Sequence, residues 1–219
     1  VILKLYLRDM KSRNIISIVL IVGVLALAVV LYNSIMRPLR FEAEYNKRST
    51  EVINKLKDIR AIQEAYKGTH GQFCGNIDSL IIFLETGKVN MVKKYGVVPD
   101  SLTEAQALKA GIIKRDTVEV NPLEKLIEEK KLITSAKEIK NLKYIPYSDN
   151  KVFVMKADVI ERGGVKVPTF EATADIFTYT KEMKEQDVVN LKAELESKNR
   201  FPGWKVGDVT QPITDGNWE

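Results

Sequence analysis

Residues 15–32 read IISIVLIVGVLALAVVLY, with no charge and only Ser17 as a weakly polar side chain. Eighteen residues at about 1.5 Å each span about 27 Å, close to the thickness of a hydrocarbon core. A helix buried in a soluble core rarely stays apolar on every face for so long. The stretch is therefore expected to cross a membrane, with Asn33–Met36 extending it to residues 15–36. The run exceeds the roughly 7–15 apolar residues of a signal peptide, and no small-x-small cleavage site follows it. A retained anchor is the expectation, and it organises the rest of the chain.

Charge fits that frame. The formal net charge is +5, and residues 1–40 alone supply it, with Lys4, Arg8, Lys11, Arg13, Arg37 and Arg40 against Asp9. The other residues balance to zero, so no cationic field covers the body and nucleic-acid binding is not expected. The basic flanks on the two sides of the apolar run are nearly matched, Lys4, Arg8, Lys11 and Arg13 against Arg37, Arg40, Lys47 and Arg48. The N-terminal flank is shorter and holds its charges closer to the run. The positive-inside tendency therefore favours a short basic cytoplasmic segment at 1–14, with the body beyond the membrane. The apolar cluster within Val1–Leu7 is suited to the inner interface. Cys74 is the one cysteine, which rules out an intramolecular disulfide.

After Pro38, Phe41, Tyr45, Val52, Leu56, Ile59 and Tyr66 recur at three- and four-residue steps or their multiples, with Ile53 and Ile62 widening the stripe. That is an amphipathic helix. It is expected over 37–67 as a stalk ending at Tyr66 or Lys67, with Gly68 as the left-handed stop and a kink near Pro38. The only histidine, His70, then falls in a turn between Gly68 and Gly71. It has no second histidine, Cys-x-x-Cys pair or ligand-spaced carboxylates beside it, so a helix end is expected there instead of a metal or catalytic site.

The apolar helix, the proline, the amphipathic extension and the closing IRAIQEAYKGTHGQF resemble type IV pilins and type II secretion pseudopilins over about residues 14–75. Ile62, Tyr66, Gly71 and Phe73 stand where those families place comparable residues. The prepilin Gly-Phe-x-x-x-Glu motif is missing: Arg13-Asn14-Ile15-Ile16-Ser17 opens the run here. The chain as a whole resembles uncharacterised single-pass envelope proteins of Bacteroidota, including its SLIIFLETGKV stretch and closing GNWE. The resemblance implies an envelope protein of the bacterial inner membrane with a periplasmic domain.

The body reads as a helical or mixed region over 68–142, an antiparallel sheet with a helix over 143–210, and a tail at 211–219. Helices are expected over Asn76–Gly87, capped by Asn76 or Asp78, over 103–110 behind the capping-box pair Thr103 and Gln106, and over Pro122–Lys130 and Lys184–Ser197. Strands are expected at Arg115–Val120, at Trp204-Lys-Val-Gly, and in a hairpin of Lys151–Glu161 with Val165–Tyr179 around Arg162-Gly163-Gly164. Tyr144–Tyr147 is a candidate third strand, and Pro168 asks for an edge or a bulge. The fold class is α+β, with the stalk packed on a small antiparallel sheet.

No phosphate-binding loop, nucleophile elbow or zinc pattern is present. Asp158, Glu161, Glu171 and Asp175 lie on the hairpin, where solvent-facing charge is the commoner use of a carboxylate. Neither catalysis nor a cofactor, metal or small-molecule substrate is expected. The expectation is a structural or assembly protein whose partners are the bilayer, other copies of itself, or other envelope proteins. An accessory subunit of a secretion, transport or motility machine is the alternative. The packing residues would be Gly23 and Ala26 in the membrane and Phe41, Tyr45, Val52, Leu56, Ile59 and Tyr66 along the stalk.

Overall fold

The structure is a computed structural model, and it describes residues 2–96, 99 and 103–219. Val1, the start of the expected basic segment, lies outside them. The protein is α+β, with a long helix followed by small antiparallel sheets and short helices. It divides into two compact units, Val1–Asn46 and Lys47–Glu219.

Helix α1 runs from Ile2 to His70. The expected short segment at 1–14 is thus helical from Ile2 onward. Pro38 lies inside α1 and does not end it. Proline removes one backbone donor, and the neighbouring turns carry the helix across that gap. The expected stop at Gly68 is corrected to Gly71. Gly71 adopts φ +74° and donates its N–H to the Lys67 carbonyl at 2.8 Å, closing the last turn in the left-handed conformation glycine permits. One further turn forms because Gly68 is tolerated inside it and Thr69 Oγ1 donates back to the Ala65 carbonyl.

In the C-terminal unit the stripe of α1 is the centre of the core. Val52, Leu56, Ile59 and Ile62 are wholly buried. Helix α2 (Ile77–Thr86) is capped by Asn76, whose Oδ1 accepts from the Asp78 and Ser79 N–H groups. Leu80, Phe83 and Leu84 are its buried face, and Phe83 meets Tyr66 edge-on at 5.0 Å. Strand β1 (Val89–Tyr95) pairs with β2 (Lys114–Val120) across α3 (Glu104–Lys109). Thr103 opens α3 with its N–H on Gln106 Oε1 at 2.9 Å, as the capping pattern predicts. Helix α4 (Pro122–Glu128) starts with proline at its first turn behind Asn121.

The main sheet has the order β3-β4-β5, with β3 Val154–Arg162, β4 Val165–Asp175 and β5 Gly203–Gly207. Gly163 and Gly164, at φ +61° and +78°, form the two-residue turn of the β3–β4 hairpin. With Arg162 facing Val165 as the hydrogen-bonded pair that closes such a turn, Val159–Pro168 falls on a non-hydrogen-bonded pair. Pro168 therefore points its missing donor away from β3. On that side β5 reaches only as far as Glu171, so no ladder bond is lost. Pro168 sits at a local edge without a bulge, since the register is unbroken.

Phe170, Ala172 and Ala174 alternate inward along β4 and are buried, as is Val206 of β5. Phe73 packs on Phe170 with ring centroids 4.6 Å apart. Gln63 Nε2 donates to Met155 Sδ at 3.2 Å, which joins the stalk half of α1 to this sheet. The expected strand over Val165–Tyr179 is corrected at its end. Asp175 caps a short helix α5 (Ile176–Tyr179), accepting from the Phe177 N–H at 2.9 Å. Helix α6 (Glu185–Ser197) follows and buries Val188. Tyr144–Tyr147 is also corrected, since it makes a single bridge, Tyr144 with Val152, and no strand of the sheet. The tail over 211–219 is packed: Gly216 bridges Val206, and Asn217 donates its N–H to the Lys205 carbonyl and its side-chain amide to the Gly203 carbonyl.

Candidate functional site: the two halves of the long helix

The eight candidate packing residues divide along α1. Gly23 and Ala26 are exposed within the N-terminal unit, where Ile18–Leu31 presents apolar side chains such as Leu25 at 61% exposure. Among the described residues, one helix is long and apolar enough to cross a membrane, with a mean hydropathy of 2.6 over its best 18-residue window and none of that window buried. Phe41 and Tyr45 are half-exposed and stack on each other one turn apart, with centroids separated by 6.2 Å. Val52, Leu56 and Ile59 are at 0% exposure within their own unit. The fold of that unit itself occupies this part of the stripe. Tyr66 stacks on His70 at 4.1 Å and meets Phe83, so it too faces its own unit.

His70 sits in the last turn of α1, not between turn glycines. Its Nδ1 lies 3.2 Å from the Tyr66 carbonyl, and its ring packs edge-on to Phe83 at 5.4 Å. These contacts terminate a helix and tie it to α2. Cys74 is buried. Its N–H donates to Gln63 Oε1 at 2.9 Å while its carbonyl accepts from Gln63 Nε2 at 2.6 Å.

The hairpin acids are not brought together. Asp158 accepts from the adjacent Val159 N–H, Glu171 lies 3.6 Å from Lys205 Nζ, Asp175 caps α5, and Glu161 faces Lys166 across the hairpin. Among the described residues no group of three or more His, Cys, Asp or Glu side chains could hold a metal ion. A cleft of about 400 Å³ beside Ala61, Ala65 and Gly68 is lined by charges that pair with one another, Lys88 with Glu119 and Lys131 with Glu129.

The polar residues that fasten α1 into its unit were not singled out from the sequence. Asp58 is wholly buried and accepts from the Ile133 and Thr134 N–H groups at 2.7 and 2.9 Å. Arg48 donates to the Tyr179 carbonyl at 3.2 Å and lies 4.6 Å from the centroid of the Tyr147 ring. Lys55 donates to the Asn141 and Tyr144 carbonyls at 2.7 and 2.6 Å. Burial lowers its pKa, against the opposing pull of Glu138, Glu51 and Asp58. Tyr147, Asp149 and Asn150 all adopt left-handed backbone in the adjoining loop. The Tyr147 hydroxyl donates to Glu51 Oε1 at 2.6 Å and helps hold that strain. A signal was present: Arg48 lies four residues before Val52, and Gln63 four after Ile59, on the line of the buried stripe.

Comparison with family models, curated proteins and solved structures finds no match to this chain. The functional reading therefore rests on the geometry.

Proposed function

We propose that this chain is a non-enzymatic structural or assembly protein of the bacterial cell envelope, anchored by a single membrane pass. One observation carries the reading: the two halves of α1 differ. Residues 47–70 are consumed by the fold of the C-terminal unit, whereas residues 17–36 expose apolar side chains on every face. A bilayer covers such a surface, and so do neighbouring copies of the same helix. Gly23 and Ala26 allow close helix approach, and Phe41 and Tyr45 extend the contact beyond the apolar run. The chain packs with itself through this half of the helix into an oligomer, in the manner suggested by its pilin-like sequence pattern. The short basic segment lies in the cytoplasm, and the body, residues 41–219, lies in the periplasm.

In the alternative reading the domain binds partner proteins as an accessory subunit of a secretion, transport or motility machine. The exposed side chains along β3, Val154, Lys156 and Asp158, favour it. The mass of the gently solubilised native complex, with its co-purifying proteins identified, separates the two. A large assembly of this chain alone supports self-packing. A stoichiometric set of other subunits supports the accessory reading, and a bare monomer refutes both.

A further inference from the structure

Residues 210–219 are held to the main sheet by few and irregular contacts. Just before them Val209 is tied to β4, its carbonyl accepting from the Thr169 hydroxyl at 2.9 Å. Residues 210–213 are exposed. Residues 215–217 then run antiparallel to β5. The Gly207 N–H donates to the Asp215 carbonyl and the Asn217 N–H to the Lys205 carbonyl, each at 3.0 Å. The Asn217 side chain supplies two further bonds in place of backbone groups. Its Oδ1 accepts from the Lys205 N–H and its Nδ2 donates to the Gly203 carbonyl, both at 3.0 Å. Arg60 of α1 reaches Glu219 at 2.8 Å, with that carboxylate side chain 40% exposed.

Two deficits stand against these ties. Gly216 is the only buried residue in 208–219, so the segment places no apolar side chain in the core. Phe170, Ala172, Ala174 and Val206 beside it are all within 1% of full burial. The register that bridges Val206 to Gly216 also sets Trp218 opposite Trp204. Both indole Nε1–H groups are buried without an acceptor among the described residues. A buried donor left unbonded disfavours the closed state, and opening returns the Trp218 donor to water.

We propose that residues 210–219 are a detachable strap, which leaves β5 and returns while the rest of the C-terminal unit stays folded. Local stability follows buried apolar contact, and the segments that bury least open first. Closed, the strap occupies the outward groups of Gly203, Lys205 and Gly207. Open, it bares them as a free edge, so the strap governs access to that side of the sheet. The ladder divides β5 residue by residue. Lys205 and Gly207 bond outward to the strap, and Val206 therefore bonds inward to its register partner Ala172 on β4. Neighbours on one strand thus belong to different cooperative units. The inference is independent of the membrane anchor and of packing between copies.

Native-state hydrogen exchange of the full chain in detergent micelles, followed amide by amide at low urea concentrations, tests it. The Gly207 and Asn217 amides should exchange about a hundredfold faster than those of Val206 and Ala172. They should also respond little to urea, because a local opening exposes little surface. Asn217→Ala removes both side-chain bonds of the strap. The Gly207 N–H bonds to Asp215, which that substitution leaves in place, so its exchange reports opening of the whole strap. It should speed by about a further tenfold, the scale of two hydrogen bonds, while Val206 and Ala172 stay unchanged. Equal rates and equal urea dependence for all four amides in the unaltered chain would overturn the proposal. So would an Asn217→Ala variant in which Gly207 does not change, or in which Val206 and Ala172 speed as much as Gly207 does.

Discussion

Leu56→Ala and Leu25→Ala change the same residue type on the same helix, and they should differ by several kcal/mol. Leu56 is at 0% exposure and Leu25 at 61%. Truncating leucine to alanine removes three carbons from the side chain. At about 0.8 kcal/mol per buried methylene, the Leu56 variant loses about 2.5 kcal/mol of transfer free energy. A cavity that relaxes only in part adds up to about 2 kcal/mol. The expected cost is therefore about 2.5–4.5 kcal/mol for Leu56→Ala. It should be near zero for Leu25→Ala, whose side chain loses contact only with its surroundings outside the fold. Both tryptophans, Trp204 and Trp218, lie in the C-terminal unit. Their fluorescence in a urea titration of the micelle-bound full chain reports that unit alone. A Leu56→Ala cost under about 1 kcal/mol would show that residues 47–70 are not core. An equal loss from Leu25→Ala would show that the two halves of α1 do not play separate roles.

Asp58→Ala removes two charge-assisted bonds to the Ile133 and Thr134 N–H groups, and should cost about 2–3 kcal/mol. Rapid exchange of those two amides should accompany the loss. Asp208 is held down to about 2 by hydrogen bonds from Thr210 and Lys205. Its unfolded value is about 3.9, so the stabilisation is fully present above about pH 4 and fades as the pH falls toward 2. Asp208→Asn should flatten that limb of a plot of Tm against pH and leave the neutral region with only the loss of the polar contacts themselves. Cys74 is buried, so a thiol reagent should label it only as fast as the unit unfolds. Labelling at the rate of a free thiol would contradict its place beside Gln63.

Much of the fold was legible because it rests on local chemistry. The apolar run, the Asn76 cap, the proline-led α4 and the double-glycine hairpin each state their structure in a few adjacent residues. Errors came where distant residues decide. Gly68 is a stop signal by sequence, but contacts of Tyr66 and His70 with Phe83 carry the helix another turn. GNWE reads as a tail until Gly216 and Asn217 find β5, a pairing no short-range pattern reveals. The stalk stripe was correctly seen as apolar, but its periodicity cannot say whether another copy or the chain's own sheet covers it. Val52, Leu56 and Ile59 turn inward because residues 71–219 fold back over them. The buried polar clamps looked like ordinary solvated side chains for the same reason, Arg48 and Asp58 as charges and Gln63 as a neutral amide.

The central claim is that the bare half of α1, and not the buried half, meets other copies. Cysteine cross-linking in native membranes tests it most directly, with single substitutions at Ala26, Phe41 and Val52 in a Cys74→Ser background. The account predicts chain-to-chain cross-links from Ala26→Cys and Phe41→Cys and none from Val52→Cys. Cross-links from Val52→Cys alone, or from none of the three positions, would contradict it.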